Sequence, residues 1–167
     1  MRRWLTRMRV PLGFGLAGIV LWLAEPVWTS WTVGVVTAAC GEAVRLWAAG
    51  HLEKSREVTA SGPYRYLRHP LYFGSTLIAI GLAIAASHLG VAVLIGLYVG
   101  LTLSAARRSE EAHLREKFGD AYDAYVEKRA VPMVRRFSLA RALRNREHHT
   151  IAGLVVGFLL LALKIAP

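Results

Sequence analysis

The chain has almost none of the residues from which a thiol-based site or a disulfide is built. Its 167 residues include one cysteine, Cys40, so an intrachain disulfide and a metal site made of several thiolates are both excluded. Cys40 stands in an apolar stretch, where we expect a small packed residue instead of a reactive nucleophile.

Motifs of the common nucleotide-binding and metal-binding folds are also missing. The sequence has no GxGxxG after a predicted strand, no Walker motif, no HExxH helix and no strand alternation of the Rossmann type. We expect no metal site, because the histidines outside the motif described below show no ligand spacing. Any chemistry must therefore be built from helix ends and the loops between them.

Acidic residues are scarce, whereas apolar and basic residues are abundant. The chain has 11 Asp and Glu against 21 Lys and Arg, a formal net charge of +10, and is 54% hydrophobic. A soluble domain of this length could not bury so much apolar surface. The basic residues flank long apolar runs instead of forming a stripe, so we expect a membrane protein and no nucleic-acid partner.

Residues 71–106 contain no Lys, Arg, Asp or Glu. As one helix they would reach roughly 54 Å, against ~30 Å for the hydrocarbon core of a bilayer. The run must fold back, and the sequence SHLG at residues 87–90 predicts the turn of a helical hairpin.

The other apolar runs complete a predicted all-α integral membrane protein of about five transmembrane helices in one domain, residues 1–167. The last run is either a short fifth span or a helix lying in the interface; we favour the span. The apolar faces of the predicted helices suit lipid and partner helices equally, so no oligomeric state is predicted. The predicted spans are about 11–24, 27–49, 71–86, 89–106 and 150–165.

Basic residues form three clusters, at residues 2–9, 54–68 and 107–146. Two predicted crossings separate each cluster from the next, so all three should lie on one face. The positive-inside rule makes that face cytoplasmic, together with the N-terminus.

One cytoplasmic segment has helical periodicity of its own. Apolar and aromatic positions recur between residues 114 and 126, with acids and bases between them. This pattern predicts a cytoplasmic amphipathic helix, lying on the membrane surface or over the bundle, with a kink or an end at Gly119.

The sequence GPYRYLRHPLYFG, residues 62–74, stands where the hairpin begins, and we call it the threshold motif. Tyrosines and arginines at a membrane interface are explained by lipid contact alone. Lipid contact does not explain why His69 lies between Arg68 and Pro70, with Tyr72 on the first helical turn. Pro70 suits the first helical position, so free backbone N–H groups should lie beside these rings.

Glu110 and Glu111, the acidic pair, follow the other arm of the hairpin. Because the hairpin returns to the same face, the pair should lie close to the threshold motif. Arg107 and Glu111 are four residues apart and share a helix face. A solvated helix end explains the acids equally well. Together, rings, cations and acids suit S-adenosylmethionine, which carries a sulfonium, a carboxylate, an ammonium and ribose hydroxyls.

The threshold motif, followed by RRSEEAHLREKFGDAYDAY, resembles the isoprenylcysteine carboxyl methyltransferase and phospholipid methyltransferase group of integral membrane enzymes. The resemblance covers about residues 42–132, the expected methyltransferase core. It implies a cytoplasm-facing pocket for S-adenosylmethionine and a lipid or lipidated small-molecule acceptor that enters from the bilayer. Membrane sterol reductases carry sequences related to RHPxY, so an NADPH-dependent reductase is the alternative enzyme, and a non-catalytic lipid-binding bundle is the third interpretation.

Carried over by position, the resemblance implies cofactor-binding and catalytic residues. The family's acceptor-orienting arginine lies four residues before its cofactor-binding glutamate, where this chain has Ala106. Arg107 and Glu111 restore that spacing and are the alternative catalytic pair. The implied cofactor-binding residues are Thr59, Tyr64, Arg68, His69, Pro70, Leu71, Tyr72 and Glu110.

Overall fold

The structure of the chain is a computed structural model that describes residues 13, 15–131 and 133–165. Within these residues every regular element is helical. The predicted basic cluster at residues 2–9 and part of the first predicted span lie outside them. The elements are α1 (residues 15–23), α2 (Trp28–Ala49), a 3₁₀ turn (Gly62–Arg65), α3 (Pro70–Ala86), α4 (Leu89–Phe118), α5 (Asp120–Val126), α6 (Leu139–Arg144) and α7 (Glu147–Ala162).

Among the helices that the structure describes, α2 and α3 form the most closely packed pair. They run antiparallel, and glycines let their backbones touch: a Cβ on Gly34 would lie 2.5 Å from the carbonyl oxygen of Gly81. A Cβ on Gly41 would likewise lie 2.6 Å from the carbonyl oxygen of Gly74. Small residues at such crossings are typical of helices packed in lipid, where dispersion contacts replace the hydrophobic effect.

The predicted hairpin is present as α3 and α4. Its turn consists of Ser87, in the left-handed region with φ 50°, and His88, whose ring caps α4 by accepting the N–H of Val91. The turn therefore occupies the start of the predicted SHLG segment.

The predicted amphipathic segment is not a separate helix, and this part of the expectation is wrong. Helix α4 continues without interruption to Phe118, because residues 105–118 are mostly strong helix formers with no proline or glycine among them. The break at Gly119 is confirmed: its φ is +46°, and α5 starts at the next residue. The acidic pair consequently lies on the same rigid helix as the second hairpin arm.

Helix α7 packs against α2. At the start of α7 Glu147 pairs with Arg45, and in its last third the indole N–H of Trp31 donates to the carbonyl oxygen of Phe158. At the other end Lys164 donates to carbonyl oxygens at the end of α1, those of Leu21, Trp22 and Ala24. The last apolar run therefore packs on α2, and its crossing of the membrane stays a prediction.

Two of the three basic clusters meet at one end of the helices, which we call the basic end. Lys117 donates to the carbonyl oxygen of Ser55, and Arg135 pairs with Glu57.

By length and hydropathy, α4 is the one helix of the described residues that qualifies as a membrane span; α3 and α7 are apolar but shorter. Five crossings therefore remain a prediction. Cys40 is exposed on α2, so the expectation that it is packed is wrong.

Candidate active site

The hairpin brings the threshold motif against the acidic pair at the basic end. Nε2 of His69 lies 2.8 Å from Oε1 of Glu111, and the hydroxyl of Tyr72 donates to Oε2 of Glu110 at 2.5 Å. The predicted proximity of the two segments is confirmed. We call these four residues the site cluster.

The local sequence explains how two side chains one turn apart reach the same partner helix. Pro70 occupies the first position of α3, and the N–H groups of Tyr72 and Phe73 donate to the carbonyl oxygen of His69. The His69 side chain makes no capping bond to the helix. Its ring instead contacts Glu111 on α4 and stacks on Tyr72, with ring centroids 5.5 Å apart.

Glu111 is shared between two basic groups. Besides His69, Nε of Arg107 lies 3.8 Å away, one helical turn earlier on α4. Arg107 is more than half exposed, whereas the His69 side chain is mostly buried. The site cluster therefore has a partly buried ring and carboxylate on the inside, and the long, exposed side chain of Arg107 places a cation at its edge.

Helix α5 covers the threshold motif from the other side. The hydroxyl of Tyr125 donates to the carbonyl oxygen of Tyr64 at 2.9 Å. Burial, followed by the nearby charge of Glu110, raises the pKa of Tyr64 far above its ordinary value. Burial also raises the pKa of Tyr125 to about 12. Both phenols stay protonated at neutral pH, so they can donate hydrogen bonds but cannot act as bases.

The other predicted cofactor-binding residues lie outside the site cluster. Thr59 is buried, and its hydroxyl accepts the N–H of Glu53, without a hydrogen bond to the site cluster among the described contacts. Arg68 lies beside α5, where its charge opposes the effect of burial on the pKa of Tyr122. Pro70 is buried, and the carbonyl oxygen of Leu71 accepts from Ser75.

Sequence reasoning missed the contribution of Tyr122 and Tyr125. Both belong to the periodic pattern that predicted the amphipathic helix, where they were interpreted as apolar positions only. Tyr122 is buried, and the Arg115 guanidinium lies 5.7 Å from its ring centroid. The tyrosine hydroxyls could have indicated this role in the sequence, because a buried tyrosine normally needs a hydrogen-bond partner for its O–H. Among the described residues, no group of three or more His, Cys, Asp or Glu could hold a metal ion.

Comparisons with known proteins identify relatives of the chain. The sequence pattern of the phospholipid methyltransferase family matches residues 8–121, which carry the whole site cluster. The nickel-cobalt-cadmium resistance protein NccN of Alcaligenes xylosoxydans xylosoxydans is 32% identical over 123 residues, covering 72% of this chain and 55% of the relative. The cobalt-zinc-cadmium resistance protein CzcN of Cupriavidus metallidurans is 31% identical over 120 residues, covering 66% of this chain and 54% of the relative.

The chain spans about half the length of these two curated relatives. No solved structure matches it. The family match covers more than half of the sequence and includes both arms of the hairpin. The chain therefore belongs to the phospholipid methyltransferase family, a family of the isoprenylcysteine carboxyl methyltransferase-type membrane methyltransferases.

Proposed function

We propose that the chain is an S-adenosylmethionine-dependent methyltransferase of the isoprenylcysteine carboxyl methyltransferase-like type. It transfers a methyl group to a lipid or isoprenylated acceptor that presents a carboxylate or an amine. The observation that carries this proposal is the site cluster. In it the side chains of His69 and Tyr72 form hydrogen bonds with the carboxylates of Glu111 and Glu110, and all four residues lie within the segment that matches the family.

The residues of the site cluster fit the groups of S-adenosylmethionine. A carboxylate such as Glu110 accepts hydrogen bonds from ribose hydroxyls or an ammonium. The stacked faces of His69 and Tyr72 suit a sulfonium, through cation–π attraction to the phenol ring, and Arg68 suits the carboxylate. When bound, the cofactor would supply the methyl group on a positively charged sulfur, which is a good leaving group.

The residues near Glu111 supply the two functions that an acceptor needs. A carboxylate acceptor requires a cation to orient it, and Arg107 is exposed at the edge of the cluster. An amine acceptor must lose a proton, and the hydrogen-bonded pair of His69 and Glu111 can take it. In either case the protein acts mainly by positioning two reactants and excluding water.

A groove between α3 and α4 gives the apolar part of the acceptor a place to lie. It has a volume of about 350 Å³ and is lined largely by small residues, among them Ala79, Ala83 and Gly96. Thr76 and Ser104 line it at the end nearer the site cluster. A chain lying in this groove would point its polar head towards Tyr72 and Arg107, which supports a lipid-like acceptor entering from the bilayer.

We place the site on the cytoplasmic side of the membrane. The basic end carries both described basic clusters, and the positive-inside rule assigns such an end to the cytoplasm. Basic residues there also attract anionic lipid headgroups. The two relatives are named as metal resistance proteins, so we extend the proposal to methyl transfer in cells exposed to nickel, cobalt, zinc or cadmium.

Calorimetric titration of the purified protein with S-adenosylmethionine, and separately with NADPH, tests the proposal. Binding of S-adenosylmethionine alone is expected, whereas binding of NADPH alone would replace the methyltransferase with the reductase. Incubation with lipid extracts and cofactor labelled in its methyl group should yield a labelled lipid. If the protein binds the cofactor but forms no labelled product, the interpretation as a non-catalytic lipid-binding bundle would be favoured.

The acceptor can be identified by lipid mass spectrometry of cells with and without the chain. Cultures grown with and without added nickel or cadmium test the extension to metal stress. We expect a lipid that gains 14 mass units only when the chain is present, in larger amounts under metal exposure. An identical lipid profile in all four cultures would contradict a lipid acceptor.

A further inference from the structure

A second group of charged side chains lies between α2, α3 and α7, apart from the site cluster. Nη2 of Arg45 donates to both carboxylate oxygens of Glu147, at 3.0 and 2.9 Å. The side chains of Arg45 and Glu147 are 17% and 5% exposed, so the pair is held away from solvent. Such a pair needs good geometry and further hydrogen bonds to offset its desolvation.

The other end of the same guanidinium holds α3. Nη1 of Arg45 donates to the hydroxyl of Ser75 at 2.6 Å, and that hydroxyl donates in turn to the carbonyl oxygen of Leu71 at 2.9 Å. The aliphatic part of Arg45 packs on Gly74, where a Cβ would lie 2.6 Å from its Cγ. An unbroken series of hydrogen bonds therefore runs from α7 to the first turn of α3.

That first turn carries both rings of the site cluster. Tyr72 follows Leu71 directly, and His69 precedes the helix by one residue. Their hydrogen bonds to α4 depend on how α3 is rotated about its axis and on its height relative to α4. Arg45 contacts α3 on the side that packs against α2, opposite to the contacts with α4, so it can restrain both quantities together with the glycine contacts between α2 and α3.

We propose that Arg45, held in place by Glu147, is a positioning residue that sets the first turn of α3 for the reaction. The inference rests on the proposed function and extends it to α7, which lies outside the residues that match the family. A displacement of reacting groups by about 1 Å costs on the order of a hundredfold in rate. A modest rotation of α3 is therefore enough to affect turnover.

A second acid, Glu42, lies near the same guanidinium. Oε2 of Glu42 lies 3.7 Å from Nε of Arg45, and both carboxylate oxygens of Glu42 are buried without a hydrogen-bond partner among the described atoms. We therefore expect Arg45 to shift towards Glu42 when Glu147 loses its charge, and the hydrogen bond from Arg45 to Ser75 to weaken.

The test compares Ser75→Ala and Glu147→Gln with Ser75→Thr, which keeps the hydroxyl. Thr37→Ala is the matched control, because Thr37 makes the same hydroxyl-to-carbonyl bond within α2 with no arginine attached. We measure turnover at saturating S-adenosylmethionine, the acceptor KM, the thermal midpoint and deuterium uptake of the amides of residues 71–75. Hydrogen exchange needs no cofactor and so reports on the first turn of α3 directly.

Ser75→Ala and Glu147→Gln should each lower turnover by about tenfold and increase deuterium uptake in the first turn of α3, with the acceptor KM little changed. Ser75→Thr and Thr37→Ala should behave like the unchanged protein. The inference is overturned if Ser75→Ala retains normal turnover and exchange, even if Glu147→Gln lowers the thermal midpoint. If the unchanged protein binds no S-adenosylmethionine, the proposed function fails, while the exchange data still decide whether Arg45 positions α3.

Discussion

Tyr72 on α3 donates its hydroxyl hydrogen to Glu110 on α4 over 2.5 Å, although 38 positions separate the two residues in the chain. This bond joins the two arms of the hairpin at the end opposite to their turn. The groove between the arms is therefore bounded by the turn at one end and by the site cluster at the other. Substitutions in the site cluster and in the groove should therefore affect cofactor binding and acceptor binding separately.

Removing the bond between Tyr72 and Glu110 should weaken cofactor binding. A hydrogen bond from a ligand to a charged group contributes roughly 1.5–3 kcal/mol, which corresponds to about 10- to 100-fold in Kd if Glu110 no longer meets the cofactor. Tyr72→Phe and Glu110→Gln should each raise the calorimetric Kd for S-adenosylmethionine within this range. Tyr66→Phe is the control, because Tyr66 belongs to the same motif but is exposed. Unchanged affinity in both variants would mean that the cofactor binds elsewhere.

Replacing Arg107 should affect the acceptor more than the cofactor. Arg107 lies at the edge of the site cluster, so Arg107→Gln should raise the acceptor KM by about tenfold if the acceptor is a carboxylate. The Kd for S-adenosylmethionine should stay within about twofold. Arg108→Gln, one residue away on the exposed surface, should match the unchanged protein. Equal kinetics in the two variants would remove Arg107 from the catalytic pair.

Filling the groove between α3 and α4 should block the acceptor and spare the cofactor. Gly96 lines the groove, and a Cβ there would meet no atom within 4 Å, so Gly96→Leu places its side chain in open space. Gly153→Leu on α7 is the control, since that position is equally open but lies outside the groove. We expect Gly96→Leu to lower methylation of a lipid acceptor by about tenfold or more. Normal methylation by this variant would contradict the groove as the acceptor site.

His51 should make the stability of the protein depend on pH. Burial, and then the charges of Arg141 and Arg135, lower the pKa of His51 below its ordinary value of 6.5. The unfolded chain therefore takes up a proton at a pH where folded His51 remains neutral. Stability from this residue is present above pH 6.5 and is lost as the pH falls from there through the lowered pKa.

Thermal midpoints in detergent between pH 8 and about pH 5.5 measure this dependence. His51→Gln keeps a polar group near Ser61, which lies 3.2 Å from the His51 ring nitrogen, and should show a shallower decrease than the unchanged protein. His113→Gln, at an exposed position of α4, should retain the full decrease. A parallel decrease in all three proteins would assign the pH dependence to other groups.

Local sequence determined the hairpin, its turn and the ends of the helices around the site. An uncharged run too long for one crossing must fold back, Pro70 starts a helix, and Gly119 at positive φ ends one. The continuity of α4 through Ala106 escaped prediction because a change from apolar to charged residues was interpreted as a boundary. Helix propensity does not change at that point.

The sequence by itself therefore placed the threshold motif beside the acidic pair, since both follow from the hairpin. Only the tertiary structure decided that His69 meets Glu111 and Tyr72 meets Glu110. The same holds for the pairing of Arg45 with Glu147, which lie 102 positions apart. Such pairings depend on the rotation and height of each helix, and these are set by the contacts between helices, such as the close backbone approaches at the glycines between α2 and α3.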